Sequence, residues 1–467
     1  MTMEVKTYVF GSFYPRRTPG RATAGLGVNL PRLAVVVVAA LLAVYVFAAG
    51  AGYLWLHVVR KVDQITLWDV AGFRWKQVRR EIAIRQFAQA KSAWDAGNYR
   101  TAYLLYASAL RNGPDNVAGR LAAADFFVAV GSTKQAIVLL EDGLVRAPDE
   151  PQLITRTLDL LASIGRDRRV LELARQQQAA KLSGPSRALL QTYEVQATLA
   201  TDGPVAARQL LDRYADLRKN PASAPVVARV MWENRDRLAA IETLAGYVEA
   251  HPGALDAVAL LADWQAAGGL TDDARATAQR ACARFPNDPS ARLVLIDALG
   301  AAGVPAAREW EQAVASYLAD FAAQPEAIVR LGNLAGRRGW VSLARGLYET
   351  GADRYERLAL LALFYSDALG HASRWSEARA MLADLETQIS EGNAGLLALL
   401  RQRQVAAAAA QGDHEAAREY ARRLAAALGD DPDELSLRRR QFAQLGITEA
   451  VEELTPRGVA AARADRR

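Results

Sequence analysis

Hydrophobic and polar positions divide the chain into one continuous apolar run and a long series of segments with helical periodicity. Residues 33–56 form an uncharged apolar run of 24 residues. From Glu81 to about Leu454, apolar residues recur at the three- and four-residue spacing of a helix face, and short breaks of Gly, Pro, Asn or Asp separate the segments. Proline ends a helix, and a following Asp or Asn caps the next one. The pattern therefore predicts an all-α protein built of many short helices.

The apolar run from Leu33 to Leu56 is long enough to cross a membrane. As a helix it would extend about 36 Å, against a bilayer core of about 30 Å. Tyr53 and Trp55 lie near its end, where amphipathic rings favour the membrane interface. We predict a transmembrane helix over residues 33–57. In this helix, small residues four apart (Ala39 and Ala43, Ala48 and Gly52) make homodimerisation possible.

A cleaved signal peptide is the alternative interpretation of this run. Arg16 and Arg17, the apolar stretch and the small residues 49–51 correspond to the three parts of such a signal. However, the apolar run continues past the small residues to Leu56 and is longer than a usual signal core. We therefore favour an uncleaved anchor.

The basic residues that flank the span do not decide its orientation. Four basic residues flank each side, namely Arg16, Arg17, Arg21 and Arg32 before the span and Arg60, Lys61, Arg74 and Lys76 after it. The positive-inside rule thus decides nothing. A short tail before a single span and a large following domain is typical of a signal anchor. This layout favours the inner cell membrane with the following domain on the outer, periplasmic side, and a cytoplasmic domain is the alternative.

The segment after the span, residues 58–80, permits two interpretations. Ile65, Trp68, Trp75 and Val78 stand at helical spacing between basic residues. A basic amphipathic segment here would lie on lipid headgroups. Alternatively, it forms a first helix that caps the following domain and buries the tryptophans.

A set of small and aromatic residues recurs every 34 positions. Gly97, Ala102, Tyr106, Ala109 and Pro114 are followed by Gly131, Ala136, Leu140, Gly143 and Pro148. Gly165 continues the glycine register, and Pro252 and Pro286 are again 34 apart. A fixed period of this length is typical of stacked helix–turn–helix units.

These residues resemble a tetratricopeptide repeat most closely between Ile84 and Asn116. The resemblance is carried by Ala90, Gly97-Asn98-Tyr99, Ala102, Tyr106, Ala109 and Pro114. It implies a right-handed α-solenoid of about ten hairpins, five of them clear, over residues 81–454. In this family the first helices of successive units line a groove that binds peptides or partner domains. Transferred to the first two units, the groove position falls on Phe87, Lys91, Trp94, Asp95, Leu121 and Asp125. The competing interpretation is that Phe87 and Trp94 only pack against the preceding capping helix and that Lys91 and Asp125 are ordinary solvated charges.

Charge and chemistry narrow the function further. The chain has a net charge of +6, and five basic residues against one acidic residue lie within residues 1–57, so the repeat region is nearly neutral. A nucleic-acid-binding domain would carry a basic face, so we expect no nucleic-acid partner. The four histidines are far apart, and His414-Glu415 lacks the second histidine of a zinc protease motif because Arg418 stands in its place. The single cysteine, Cys282, is expected to be a small packed residue.

We therefore expect a membrane-tethered, non-enzymatic scaffold without cofactor or metal that binds protein or peptide partners and supports assembly of an envelope complex. The alternative is a subunit of an envelope enzyme or secretion system that uses the repeats as a frame. The predicted organisation is a flexible basic tail (1–32), the span (33–57), a juxtamembrane segment (58–80), the repeats (81–454) and a basic C-terminal tail (455–467).

Overall fold

The structure of the 467-residue chain is a computed structural model. The structure describes residues 12–16, 25–59, 66–71, 74–178, 182–352, 358–389, 393–429 and 432–455. The chain divides into two compact units, unit 1 (Met1–Thr157) and unit 2 (Leu158–Arg467). The predicted C-terminal tail lies, apart from Thr455, outside the described residues.

Unit 1 begins with a short hairpin and one long apolar helix. Strands β1 (Phe13–Arg16) and β2 (Gly25–Val28) pair antiparallel, with Phe13 opposite Val28. This hairpin occupies part of the segment predicted to be a flexible tail. Helix α1 (Leu30–Leu54) follows and continues as one π-helical turn over Trp55–Val59. By length and composition, α1 is the one helix among the described residues that could cross a membrane, although it begins three residues earlier than predicted.

A short helix connects α1 to the first repeat helix. A short helix α2 (Leu67–Ala71) precedes the 21-residue helix α3 (Trp75–Asp95). The first repeat helix therefore starts inside the segment predicted to be juxtamembrane. The remaining helices of unit 1 are α4 (Tyr99–Asn112), α5 (Val117–Ala129), α6 (Thr133–Arg146) and α7 (Pro151–Ser163), the last of which extends into unit 2.

Unit 2 consists of helices throughout its described residues. They are α8 (Asp167–Gln178), α9 (Gly184–Thr201), α10 (Pro204–Arg213), α11 (Ala224–Glu233), α12 (Arg237–Ala250), α13 (Leu255–Ala267), α14 (Thr271–Arg284), α15 (Pro289–Ala302), α16 (Ala307–Phe321), α17 (Pro325–Arg338), α18 (Val341–Ala352), α19 (Leu358–His371), α20 (Trp375–Gln388), α21 (Ala394–Ala410), α22 (His414–Leu428), α23 (Pro432–Gln444) and α24 (Thr448–Glu453). Short 3-10 turns occupy Ala215–Lys219, Pro221–Ser223 and Val304–Ala306.

From α3 onward the described helices pair as eleven hairpins, one more than predicted, and the all-α repeat fold is confirmed. Each hairpin turns at a residue with positive φ. These residues are Gly97, Gly131, Gly165, Gly203, Arg235, Gly269, Gly303, Gly339, Ser373, Gly412 and Gly446. Nine of the eleven are glycines because a residue without Cβ adopts this conformation at little cost. Six of the ten intervals between them are 34 residues, so the period persists far into unit 2.

The repeated small residues allow the helices of a hairpin to pack closely. In the first hairpin, Ala90, Ala102 and Ala109 are fully buried between α3, α4 and α5, and Tyr106 fills the remaining space. Side-chain caps begin several helices: Asn98 accepts from the backbone N–H of Thr101, and Asn116 accepts from that of Gly119. The sequence pattern thus predicted both the packing residues and the breaks between helices.

Candidate functional site

The six residues predicted to line a groove lie on α3 and α5, the first helices of the first two hairpins in unit 1. Phe87 is buried, and its ring lies 6.3 Å from that of Tyr106. A Cβ on Gly119 would come within 2.3 Å of the Phe87 ring, so α5 lies directly against it. Phe87 therefore packs between helices and does not line an open surface, and its neighbours are on α4 and α5 rather than on a preceding capping helix.

Lys91, Trp94 and Asp95 form one cluster on the last two turns of α3. The Nζ atom of Lys91 lies 3.4 Å from the Asp95 carboxylate and 5.8 Å from the centre of the Trp94 ring. Trp94 is half-buried because its ring meets that of Phe126 edge-on at 5.7 Å. Both charged side chains are more than 60% exposed, so this ion pair contributes little to stability and is available to a partner.

Leu121 and Asp125 lie one turn apart on α5, and both are half-buried. Asp125 is held by Arg156, whose guanidinium approaches its carboxylate to 2.6 Å. This contact joins α5 to the first turns of α7 within unit 1. We call the exposed parts of Lys91, Trp94, Asp95, Leu121, Asp125 and Arg156 the α3–α5 face.

The α3–α5 face combines apolar area with charges of both signs. An aromatic ring and a leucine lie among two cations and two carboxylates that are already paired with each other. Such a surface offers apolar anchoring and exchangeable ion pairs to a peptide or protein segment.

Unit 2 contains a second open surface on first helices, which the sequence pattern did not single out. Two adjoining clefts of about 530 and 300 Å³ share Arg229 of α11 and Asp256 and Leu260 of α13. Gln196 of α9 and Ser290 of α15 extend the first cleft. We call these two clefts the unit-2 groove. Arg229 and Asp256 are exposed, so their charges are accessible there.

Arg338 fixes the far wall of the unit-2 groove. This side chain of α17 donates from Nε to Asp297 of α15 at 2.6 Å and also contacts Asp263 of α13. Hydrogen bonding to Asp297 raises the pKa of the Arg338 guanidinium, so it stays charged at all accessible pH values. Three successive first helices are thereby held in fixed spacing.

A sequence signal for this groove exists in the spacing of its residues. Asp256, Leu260 and Asp263 stand at i, i+4 and i+7 on α13, which places them on one helix face. The sequence analysis transferred the groove position only to the first two units, so this face of α13 was not singled out.

Reactive groups elsewhere have structural partners. The Nδ1 atom of His414 lies 2.7 Å from the Glu449 carboxylate. The Cys282 thiol donates to the backbone oxygen of Ala291 at 3.2 Å, and burial raises its pKa. Within the part of the chain that the structure describes, His, Cys, Asp and Glu side chains form no group of three or more able to hold a metal ion.

Several solved structures are similar to parts of this chain. A Pseudomonas aeruginosa PilF structure matches at 15% identity with a TM-score of 0.33, covering 46% of this chain and 96% of its own. PilW, described as a widely conserved type IV pilus biogenesis factor, matches at 17% identity with a TM-score of 0.35 over 46% and 98%. A tetratricopeptide repeat protein from Parabacteroides merdae matches at 12% identity with a TM-score of 0.34 over 68% and 97%. The comparison with curated proteins gave no match.

The family comparison agrees with the sequence register. Residues 93–155 match the model described as Tetratricopeptide repeat, which covers the turn of the first hairpin and the whole of the second. The same hairpin and the same positive-φ turn recur through the described residues to α24. Residues 93–155 are therefore similar to tetratricopeptide repeats, and the other described hairpins have the same helix–turn–helix form.

Proposed function

We propose that this protein is a membrane-tethered scaffold that binds segments of partner proteins along the first helices of its repeats. Tetratricopeptide-repeat proteins bind protein partners. One observation carries the proposal: the same chain contains an apolar helix, α1, and, after it, hairpins with two open surfaces. Both surfaces combine charged and apolar side chains. The anchor would fix the location, and the surfaces would select the partner.

Affinity in such a scaffold comes from a few well-packed anchors rather than from total area. On the α3–α5 face these anchors are Trp94 and Leu121, and in the unit-2 groove Leu260 has the same role. Arg229 and Asp256 would set the direction of a bound segment because they offer opposite charges to its side chains. We further propose the inner cell membrane as the location, with the repeats outside the cytoplasm, and assembly of an envelope complex as the task.

Photocrosslinking of the full chain in its native membrane tests this proposal. A photoreactive phenylalanine derivative at position 121 or 260 should give a discrete adduct with a partner. Matched positions on second helices, Val138 and Leu238, are about 70% exposed and should give no such adduct. The adduct at 260 should disappear in the Arg229→Glu variant and persist in Arg111→Glu, which changes an exposed charge in unit 1.

Two outcomes would contradict the proposal. Equal labelling of the first-helix and second-helix positions would mean that neither surface is selective. An adduct at position 260 that persists in Arg229→Glu would mean that the unit-2 groove does not recognise charged side chains of its partner.

A further inference from the structure

The end of α1, α2 and the start of α3 are packed together as one element. Val70 of α2 and Val78 of α3 are buried against Tyr53 of α1 and Ile82 of α3. A Cβ on Gly52 would lie 3.4 Å from Val70, so α2 lies in van der Waals contact with the last turns of α1. The first repeat helix is therefore joined to the end of the apolar helix through α2.

A local network fixes the conformation of α2. The carboxylate of Asp69 accepts from the Thr66 hydroxyl at 2.7 Å and from its backbone N–H at 3.0 Å. Arg74 lies 3.7 Å from the same carboxylate. The hydroxyl bond from Thr66 is the main reason that the pKa of Asp69 lies below its usual value, so the network persists at neutral and mildly acidic pH.

The side of this element that does not face α1 exposes large apolar residues. Trp68 is 78% exposed, and Leu67 and Trp75 are each nearly half exposed. Burial of the tryptophans in a capping helix, one of the two interpretations of the sequence, is therefore not observed. Tryptophan favours the boundary between hydrocarbon and water, where its ring is shielded and its N–H stays hydrated.

Exposed cations follow Trp75 on the first turns of α3. Lys76, Arg79 and Arg80 lie on the first turns of α3, and all three are exposed. Asp69 is the one acidic residue between Thr66 and Arg80, and it is buried and paired with Arg74. The surface thus carries excess positive charge beside apolar rings, which complements anionic lipid headgroups.

We propose that Leu67, Trp68 and Trp75, together with Lys76, Arg79 and Arg80, form a docking surface for anionic lipid headgroups in the membrane that α1 enters. The proposal rests on the proposed membrane anchoring by α1. Lipid, rather than a protein, is the occupant because α2 packs against the end of α1. A 25-residue helix extends about 37 Å, which places that end at the headgroup layer. Docking fixes the angle at which the first hairpin leaves the membrane.

Spin-label accessibility in lipid nanodiscs tests this surface with the full chain. The single native cysteine is removed by Cys282→Ser, and labels are placed through Trp68→Cys, Trp75→Cys, Val38→Cys or Val138→Cys. Collisions with oxygen report lipid, and collisions with a nickel chelate report water. We expect labels at 68 and 75 to be shielded from the chelate in discs that contain phosphatidylglycerol. A label at 138 should be fully accessible to the chelate.

A variant that removes the three cations tests whether docking depends on charge. In the triple variant Lys76→Gln, Arg79→Gln, Arg80→Gln, the ratio of docked to undocked protein should fall about fivefold for each cation removed. The matched variant Arg100→Gln, Arg111→Gln, Lys134→Gln removes the same charge from exposed positions on α4 and α6 and should leave the ratio unchanged.

The label at position 38 separates this proposal from the one on which it rests. If that label meets the chelate rather than oxygen, α1 does not span and the anchoring proposal fails. If it lies in lipid while the labels at 68 and 75 meet the chelate as freely as that at 138, the docking surface alone is overturned. Shielding of 68 and 75 from both reagents would mean a protein cover, and shielding that persists unchanged in pure phosphatidylcholine would overturn the anionic preference.

Discussion

Replacing Gly336 by alanine should separate two helices of unit 2 that touch at backbone distance. Gly336 is buried on α17, and a Cβ there would lie 2.7 Å from the backbone oxygen of Phe364 on α19. Two further Phe364 backbone atoms would lie at 3.3 Å. Because backbone atoms of a helix cannot rotate away, α17 and α19 would have to move apart.

The expected magnitude follows from two opposing effects. Alanine in a helix interior is favoured over glycine by about 0.5–1 kcal/mol. Overpacking a close contact costs about 1–3 kcal/mol. Gly346, on the adjacent helix α18, is the matched control because it is exposed and a Cβ there meets no atom within 4 Å. Gly346→Ala should therefore stabilise by about 0.5–1 kcal/mol, and Gly336→Ala should be about 1–3 kcal/mol less stable than that control.

Amide hydrogen exchange on the full chain measures this difference locally. Repeat arrays can unfold in parts, so exchange in α17 and α19 is compared with exchange in α11 and α12 of the same protein. Gly336→Ala should accelerate exchange in α17 and α19, and Gly346→Ala should not. Equal protection in the two variants would refute the inference that the glycine is required by the close helix approach.

Three further predictions concern turns and charges. Arg235→Gly should stabilise the protein by about 0.5–1 kcal/mol, because it removes the strain of a non-glycine residue with φ of 66°. Gly131→Ala should destabilise the protein by a similar amount. The urea denaturation midpoint should therefore rise in the first variant and fall in the second. Burial alone would raise the pKa of Glu194, but hydrogen bonds, first that from Arg175, lower it below its usual value of 4.5. The ionised Glu194 carboxylate therefore stabilises the fold above pH 4.5, and this stabilisation is lost as the pH falls through the folded-state pKa. In Glu194→Gln, the free energy of unfolding should lack this pH-dependent contribution. Arg338→Met should accelerate hydrogen exchange in α13, α15 and α17 more than Arg374→Met does in α20, whose exposed pair spans only one turn.

The helical hairpins were predictable from sequence because their packing residues are small and periodic. Gly97, Gly131 and Gly165 gave the register of the first hairpins. At Arg235 and Ser373 the same left-handed conformation is adopted by other residues, with φ of 66° and 58°. A sequence pattern based on glycine does not identify these two turns.

One irregular part of the repeat region contains a buried charge. Between Gly165 and Gly203 the interval is 38 residues, and here Glu194 is buried on α9. Its carboxylate accepts from Arg175 at 2.9 Å and from Tyr214 at 2.8 Å. A buried charge requires partners at fixed positions, and these come from α8 and the residue after α10. Long-range contacts of this kind leave no periodic signal in a sequence.

The α3–α5 face was predicted in part. Lys91, Trp94 and Asp95 cluster on α3 as their spacing of three and four residues requires. Spacing alone placed Phe87 on the same face, but the burial of Phe87 depends on α5. Gly119 leaves an opening there, and the Phe87 ring fills it. Whether the Phe87 side chain is buried or exposed therefore depends on the size of residue 119 on the next helix.

The size of a neighbouring residue also explains why the second hairpin buries a long side chain, that of Arg120. Gly143 stands where the first hairpin has Ala109, and a Cβ at 143 would lie 2.5 Å from Cδ of Arg120. Arg120 is buried there, and its guanidinium donates to the backbone oxygens of Pro114 and Leu139 at 2.7 Å each. Glycine at 143 admits a side chain that joins the loop before α5 to α6, whereas alanine at 109 does not leave that space. The size of the residue at this repeat position thus decides whether a long side chain can be buried beside it in the second hairpin.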